Sequence, residues 1–178
     1  MQIETERLIL REYKPTDFNS VHDYASDPEV VKYMPFGPNT PEQSQSFLDR
    51  AIRRQEEETR TDYELAVVLR EDNVLIGGCR LNKVSDHEAH IGYIYNRSYW
   101  GNGYATETAR ALVRYGFKEL SVHRIYATCD PENTASRRVL EKAGLILEGR
   151  LRENMICHGE YRDSLILGML KHEWIKTY

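Results

Sequence analysis

The chain has 178 residues, of which 40% are hydrophobic and 29% are charged, and these values are typical of one soluble globular domain. Its net charge of -4 argues against a broad nucleic-acid surface, and its three scattered cysteines, which form no Cys-x-x-Cys pair, favour a reducing cytoplasm and argue against a zinc site. Because it lacks the apolar core of a signal peptide and any run near the roughly 20 apolar residues of a membrane span, we expect a cytoplasmic protein with no membrane, metal or nucleic-acid partner.

The first third of the chain is predicted to form one strand and three helices. Leu8 to Glu12 places its leucines on one face of a strand, and a helix begins at Pro15. A short second helix has Pro28 in its first turn, where proline is tolerated. The capping box Thr40-Pro-Glu-Gln43 predicts a third helix that extends to about Thr59.

The rest of the chain is predicted to alternate between strands and helices. The predicted strands are Tyr63 to Leu69, Val74 to Val84, Glu88 to Tyr95, His123 to Cys129, Leu145 to Ile156 and Tyr161 to Leu170. The predicted helices run from about Ala105 to Leu120 and from Asn133 to Ala143. Gly77 and Gly78 inside a strand suggest a bulge or a close backbone approach. This order predicts an α+β fold: a single domain over residues 1–178, with one mixed, mostly antiparallel, twisted sheet of about seven strands and helices on both faces.

A glycine turn precedes the helix that begins at about Ala105. Gly101 and Gly103 flank Asn102, and glycine alone accepts positive φ freely. A glycine turn that opens a helix directs several free backbone N–H groups, and the positive end of the helix dipole, at one point. We therefore expect an anion there, above all a phosphate. A surface turn that only caps the helix is the alternative.

Several segments together resemble the GNAT family of acetyl-CoA-dependent N-acetyltransferases. In chain order, a strand is followed by the segment Tyr99-Trp-Gly-Asn-Gly-Tyr-Ala-Thr-Glu107 and a helix. A second strand is then followed by Asn133-x-x-Ser136, a second helix and Gly144. The start Thr5-Glu-Arg-Leu-Ile-Leu-Arg11 and the ending Tyr161-Arg-Asp163 resemble the RimJ/RimL-type branch, which acetylates N-terminal amines of ribosomal proteins. The resemblance implies a single GNAT-type domain and an N-acetyltransferase with acetyl-CoA as its cosubstrate and no metal.

The resemblance also implies where CoA binds. In the family, the loop from Trp100 to Thr106 receives the pyrophosphate through backbone N–H groups. The strand ending at Tyr95 splays from its neighbour at a bulge and binds the pantetheine arm as an added strand would, and one of its N–H groups can stabilise the oxyanion. Ser98 stands where the family often has Gln or Arg, so Arg97 could replace that phosphate contact. The implied CoA-binding residues are Tyr93, Ile94, Tyr95, Trp100, Gly101, Asn102, Gly103, Tyr104, Ala105, Thr106, Asn133 and Ser136, with simple packing as the alternative for the two tyrosines of the strand.

Three residues are implied to be catalytic. Ser136 is the expected proton donor to the departing thiolate, because Leu140 occupies the position at which many relatives have a tyrosine. His90 occupies the position of a glutamate base in many relatives and titrates near neutrality, and Glu153 lies near the glutamate that the branch uses. Ser136 could instead be a helix cap like Asn133, His90 a satisfied strand histidine and Glu153 a solvent-facing side chain. No cysteine or serine has a base at nucleophile spacing, so direct transfer in a ternary complex is predicted.

The acceptor is predicted to be a primary amine bound by the segment between the front helices. Tyr33, Met34 and Phe36 lie where the family builds its acceptor pocket, although they could instead close the core. The acidic balance favours a cationic acceptor but does not distinguish a protein N-terminus from a polyamine, an aminoglycoside or an amino-acid-like molecule. Family members are often monomers or dimers, so a homodimer is one expectation.

Two other functions stay open from the sequence alone. His90 and Leu140 depart from the family pattern and allow a CoA-binding or regulatory protein with reduced catalysis. A nucleotide-binding module of another fold could use the same glycine turn. The chain, however, lacks the lysine of a Walker loop and the third glycine of a dinucleotide fingerprint.

Overall fold

A computed structural model describes residues 1–177, and within them eight strands form one sheet. The strands are β1 (Gln2–Glu4), β2 (Leu8–Glu12), β3 (Asp62–Leu69), β4 (Leu75–Lys83), β5 (Glu88–Tyr95), β6 (Arg124–Cys129), β7 (Ile146–Cys157) and β8 (Glu160–Leu170). They lie side by side in the order β1-β2-β3-β4-β5-β6-β8-β7. Every neighbouring pair is antiparallel except β5 and β6.

Helices cover both faces of this sheet. The α-helices of the described residues are α1 (Phe18–Ala25), α2 (Pro28–Val31), α3 (Pro41–Arg53), α4 (Tyr104–Lys118), α5 (Thr134–Lys142) and α6 (Lys171–Thr177). α4 and α5 pack on one face, where Leu112, Phe117 and Leu140 join the larger core cluster. α1 and α3 pack on the opposite face, where Val21 and Leu48 belong to a second cluster. These two faces are called the α4 face and the α1 face below.

The central strand β3 explains how one sheet supports two cores. Successive side chains of a strand point to opposite faces. Leu65 and Val67 therefore enter the cluster under α4, and Ala66 and Val68 enter the cluster under α1. All four residues are fully buried, which is why β3 has a continuous apolar run rather than an alternating one.

The structure confirms the predicted α+β fold, and each predicted strand is present. The sheet has one further strand, β1, whose three residues pair with β2 and are too short and polar to be recognised in the sequence. The helix expected from Pro15 is a 3₁₀ turn, Pro15–Asp17, that leads into α1. The glycine pair in β4 meets both expectations. The β3–β4 register shifts beside it, and a Cβ on Gly77 would lie 2.3 Å from the Ile94 carbonyl oxygen.

The third predicted helix begins as expected and ends early. Thr40 and Gln43 form the reciprocal capping box, with Pro41 at the first helical position. The α-helix stops at Arg53 and a 3₁₀ turn follows, rather than continuing to Thr59. The residues of that turn have no buried side chain, so no packing supports further helix.

None of the helices within residues 1–177 has the length and apolarity needed to cross a bilayer. The same residues contain no cluster of three or more histidine, cysteine, aspartate or glutamate side chains that could hold a metal ion.

Candidate active site

The turn from Gly101 to Gly103 leads directly into α4. Gly101 and Gly103 have φ angles of 80° and 82°, and Gly103 is the N-cap, which provides no side-chain cap. The first N–H groups of any α-helix lack an intrahelical acceptor. Within residues 1–177, no backbone carbonyl accepts from the N–H groups of Gly101, Asn102 or Gly103. The turn therefore presents unpaired donors at the positive end of the α4 dipole.

Side chains of the turn hold it against the end of β5. Asn102 Nδ2 donates to the carbonyl oxygens of Tyr99 at 3.2 Å and Trp100 at 3.1 Å. The half-exposed indole of Trp100 donates from Nε1 to the Tyr95 carbonyl at 3.0 Å. The turn is thus fixed beside the last residue of β5.

β5 and β6 run side by side for only three residue pairs, of which His90 and Tyr126 are the last. β5 then stays paired with β4 as far as Tyr95, while β6 stays paired with β8 as far as Cys129. The backbone edge of β5 that faces away from β4 therefore has no strand beside it from Ile91 onward. The pairing of β5 with β4 is regular, so the strands part without the expected bulge in β5.

Tyr93 and Ser136 meet beside this gap, on the α4 face. Tyr93 Oη lies 3.0 Å from Ser136 Oγ and donates to the Ser136 carbonyl at 3.2 Å. Asn133 Oδ1 accepts from the N–H of Ser136 at 3.0 Å, so Asn133 caps α5. Burial raises the pKa of Tyr93, which keeps its phenol protonated at neutral pH.

Two other strand residues border the gap with their backbone only. The phenol of Tyr95 is buried and lies 2.6 Å from Thr108 Oγ1, so it belongs to the core, as the packing alternative supposed. Ile94 packs against the cluster under α1.

Tyr104, Ala105 and Thr106 form the first turn of α4, directly after the glycine turn.

An open groove of ≈ 510 Å³ lies on the α1 face. Alternation along β5 places His90 and Gly92 on the same face as Ile94. A Cβ on Gly92 would meet no atom within 4 Å, so the sheet surface is open where β5 leaves β6. The groove is lined by Asn82, Val84, Glu88, His90, Arg124, Tyr126, Thr128, Leu151, Asn154 and Ile166.

His90 lies in the floor of this groove with its ring edge-on to Tyr126, at 5.1 Å between centroids. Burial, together with the nearby Arg80 guanidinium and against the opposing effect of Asp62, lowers the pKa of His90 to about 4. The imidazole is therefore neutral at neutral pH, and one of its ring nitrogens can accept a proton.

The structure does not bring His90 and Ser136 together on one face. His90 faces the groove on the α1 face, whereas Ser136 bonds Tyr93 on the α4 face. The sheet lies between the two sites, and the parting of β5 from β6 is the opening that joins them. A molecule that reached through this gap would meet a neutral base on one side and a hydroxyl pair on the other.

Glu153 occupies an irregular stretch of β7. Its φ is 49°, and its N–H donates to the Asp163 carboxylate at 2.9 Å, where the register of β7 on β8 shifts. Its neighbours Leu151 and Asn154 line the groove, whereas the Glu153 side chain is exposed.

The front segment lies against the tip of the β7–β8 hairpin. Cys157 Sγ donates to the Met34 carbonyl at 2.9 Å. The Tyr33 ring is 5.3 Å from Lys32 Nζ, and Phe36 is 43% exposed. Met34 therefore lies against the hairpin whose strands line the groove, whereas Phe36 is partly exposed and is not among the groove-lining residues.

Two ion-pair networks support the site and were not predicted from the sequence. Glu107, in the first turn of α4, accepts from Thr5 Oγ1 at 2.6 Å and forms an ion pair with Arg7 at 2.7 Å. Arg162 forms an ion pair at 2.9 Å with Asp130, which is buried in the loop before α5. The sequence contains one indication of these ion pairs: the paired residues lie in or beside the segments that resemble the family.

Comparison with known proteins shows the family to which the chain belongs. The family model described as "Acetyltransferase (GNAT) domain" matches residues 7–146. The chain is 37% identical over 175 residues to the uncharacterized N-acetyltransferase YnaD of Bacillus subtilis. The aligned region covers 98% of this chain and 99% of that protein. An acetyltransferase (GNAT family) from Bacillus anthracis matches with a TM-score of 0.86 and 36% identity, covering 97% of this chain and 99% of that one. The spermidine N-acetyltransferase from Vibrio cholerae, solved with CoA and spermine, shares the fold with a TM-score of 0.80 and 21% identity, covering 96% of this chain and 99% of that one.

We expect the His90 imidazole to titrate with a pKa of about 4 in the folded protein, because burial disfavours its charged form. The folded pKa lies below the ordinary 6.5, so this group makes the fold less stable as the pH falls from 6.5 toward 4. NMR of the histidine ring C–H signals measures the midpoint, with His90→Asn to assign the signal. A midpoint near 6.5 would contradict the neutral, buried imidazole.

Proposed function

The chain is an acetyltransferase of the GNAT family, and we propose that it transfers the acetyl group of acetyl-CoA to a primary amine by direct attack in a ternary complex. The proposal rests above all on the glycine turn, which stands at the end of β5 next to the unpaired strand edge from Ile91 to Tyr95. A diphosphate needs converging N–H donors and a peptide-like arm needs an open strand edge. CoA carries both groups in series.

CoA binding uses backbone groups more than side chains. The N–H groups from Gly101 to Thr106 bind the diphosphate, and the exposed indole of Trp100 lies beside it. The pantetheine amides pair with the β5 edge along Tyr93 to Tyr95, and Asn133 flanks the arm from the start of α5. The Vibrio cholerae structure with CoA supports this choice of cosubstrate.

His90 acts as the base on the groove side. An alkylammonium must lose a proton before its nitrogen can attack, and the neutral imidazole accepts that proton directly or through water. Because a pKa of about 4 makes it a weak base, it passes the proton on to solvent at once. The carbon–nitrogen bond then forms at the thioester carbonyl. A backbone N–H of the β5 edge stabilises the resulting oxyanion, a contribution of about 3 kcal/mol in comparable oxyanion holes.

Ser136 completes the reaction on the other side of the sheet. As the carbon–sulfur bond breaks, its hydroxyl donates a proton to the departing thiolate. Tyr93 Oη, 3.0 Å from Ser136 Oγ, passes a proton to Ser136 and regains one from solvent through the gap, so both hydroxyls are protonated again before the next turnover. The proton from the amine leaves through His90. Because the amine attacks the thioester directly, no covalent enzyme intermediate is formed.

The groove favours an amine with one positive charge. Glu88 pairs with Arg124 at 2.9 Å, and Arg124 also contacts Glu148, so these three groups leave a single negative charge. Leu151 and Ile166 add apolar surface. A peptide N-terminus, consistent with the resemblance to the RimJ/RimL-type branch, or a small monoamine matches this charge better than a polyamine does.

Gly101→Val should remove most of the affinity for CoA, because a β-branched residue strongly disfavours a φ of 80°. Gly159→Val is the matched control. Gly159 has a φ of 84° and an equally open Cβ position but lies at the β7–β8 turn. By calorimetry, we expect the CoA dissociation constant to rise more than about tenfold in the first variant and less than about twofold in the second. Equal affinities in the two variants would contradict the diphosphate site.

His90→Gln should lower kcat by about 100-fold, because glutamine keeps hydrogen bonding but cannot take the proton. The KM for acetyl-CoA should change little. Glu153→Gln is the paired variant and should retain kcat within about twofold. A thiol-release assay compares them. If the loss of kcat appears in Glu153→Gln instead, Glu153 is the base and His90 is a structural residue.

Wild-type protein with acetyl-CoA should release thiol in the presence of a peptide N-terminal amine or a small monoamine. It should release thiol more slowly with spermidine and spermine. The assay is a panel of these amines with mass spectrometry of the products. CoA binding without thiol release for any amine would support the regulatory alternative, and a preference for spermine would overturn the single-charge acceptor.

A further inference from the structure

The glycine turn is held from outside by Arg7, a residue of the segment between β1 and β2. Arg7 Nη1 donates to the carbonyl oxygen of Asn102 at 3.0 Å. Its guanidinium stacks 4.6 Å from the centroid of the Tyr104 ring, and Nη2 lies 3.6 Å from the position of a Cβ on Gly103. Arg7 therefore contacts Asn102 and Tyr104, on either side of Gly103 at the junction of the turn and α4.

Glu107 fixes the orientation of this guanidinium. Arg7 Nε donates to Glu107 Oε2 at 2.8 Å, and the Arg7 N–H donates to Oε1 at 2.9 Å. Thr5 Oγ1 donates to the same Oε1 at 2.6 Å. Burial by itself would raise the pKa of Glu107, but these hydrogen bonds outweigh it and lower the pKa, so the carboxylate is charged at neutral pH.

The bond from Arg7 determines where the next N–H points. In a planar trans peptide the C=O and N–H of the same unit point in opposite directions. Holding the Asn102 carbonyl toward Arg7 therefore turns the N–H of Gly103 away from Arg7, to the side of the turn with no protein acceptor among residues 1–177. Asn102 Nδ2 likewise donates to the carbonyl oxygens of Tyr99 and Trp100 and so fixes the orientation of those two peptide planes.

These hydrogen bonds matter because glycine has little conformational preference of its own. A Cβ on Gly101 would meet no atom within 4 Å, so packing alone does not hold the turn. An unrestrained Gly101-Asn102-Gly103 segment would lose conformational entropy on binding a diphosphate, and that loss would weaken affinity.

We propose that Arg7 and Glu107 are positioning residues for acetyl-CoA, which set the peptide planes of the glycine turn for its diphosphate. The inference rests on the proposed use of acetyl-CoA. It assigns a role to the terminal segment Thr5–Arg11, which lies about 100 residues from the turn in sequence. The pair affects recognition of the diphosphate and has no part in the bond-making steps.

The test compares two acetyl donors, acetyl-CoA and S-acetylpantetheine, which has the same thioester and arm but no diphosphate. We expect Arg7→Ala to lower kcat/KM for acetyl-CoA by about tenfold, which is the effect of losing one hydrogen bond from a charged group. The loss should appear as a higher KM, with kcat unchanged. The same variant should change kcat/KM for S-acetylpantetheine by less than about twofold. Glu107→Gln should give the same pattern more weakly. Arg7→Lys should recover part of the loss, since lysine keeps the charge but cannot bond both partners as a fork.

Arg70→Ala is the matched control. Arg70 also holds the terminal segment, through a bond from Nη1 to the Thr5 carbonyl at 2.8 Å, but does not contact the turn. It should leave kcat/KM for both donors unchanged. Calorimetry with CoA and with pantetheine repeats the comparison without turnover, and thermal denaturation reports the stability of each variant.

Equal losses for the two donors in Arg7→Ala would mean a general structural role and would overturn the proposal. Unchanged acetyl-CoA kinetics would overturn it as well, while leaving the proposed function intact. A wild-type protein that binds no CoA in calorimetry would refute the proposed function and this inference together.

Discussion

The parting of β5 from β6 is the constraint on which the rest of the site depends. Each strand keeps its other neighbour, β4 or β8, so the sheet stays continuous while one backbone edge of β5 loses its partner. Unpaired backbone groups carry a free-energy cost unless water or a ligand satisfies them. An edge of this kind, inside an eight-stranded sheet and open to the groove on the α1 face, is a strand-shaped binding site for one extended molecule.

The same gap connects two chemically different surfaces. On the α4 face, Tyr93 and Ser136 form a partly buried hydroxyl pair, and on the α1 face His90 stands in an open groove with a neutral imidazole. A thioester that enters from the glycine turn along β5 would have its sulfur and its carbonyl carbon exposed to different sides. A proton donor and a proton acceptor can then act on one reaction without neutralising each other by direct contact.

Local signals in the sequence predicted most of the fold and the turn. The continuous apolar run of β3, the capping box at Thr40 and the glycines at positions 101 and 103 each act over a few residues, and the structure has the predicted element at each place. The short polar β1 has no such signal, because it is a strand only through its pairing with β2. Glycine conformations could be inferred, since few other residues adopt a φ near 80°.

Long-range contacts could not be predicted in this way. Arg97 was a candidate phosphate ligand, yet its Nε lies 3.5 Å from Asp27, the N-cap of α2. The ring of Tyr95 was a candidate for CoA and is buried against Thr108, because the alternation of β5 turns it into the core. The low pKa of His90 follows from burial and from Arg80, neither of which is visible in the residues around position 90.

A crystal structure of the wild-type protein with acetyl-CoA tests the central claim most directly. The account predicts that the diphosphate oxygens accept from N–H groups between Gly101 and Thr106, and that the pantetheine amides pair with the free edge of β5. The acetyl group would then lie at Gly92, between His90 and Ser136. A ligand bound away from the glycine turn, or one that leaves the β5 edge unoccupied, would contradict the account.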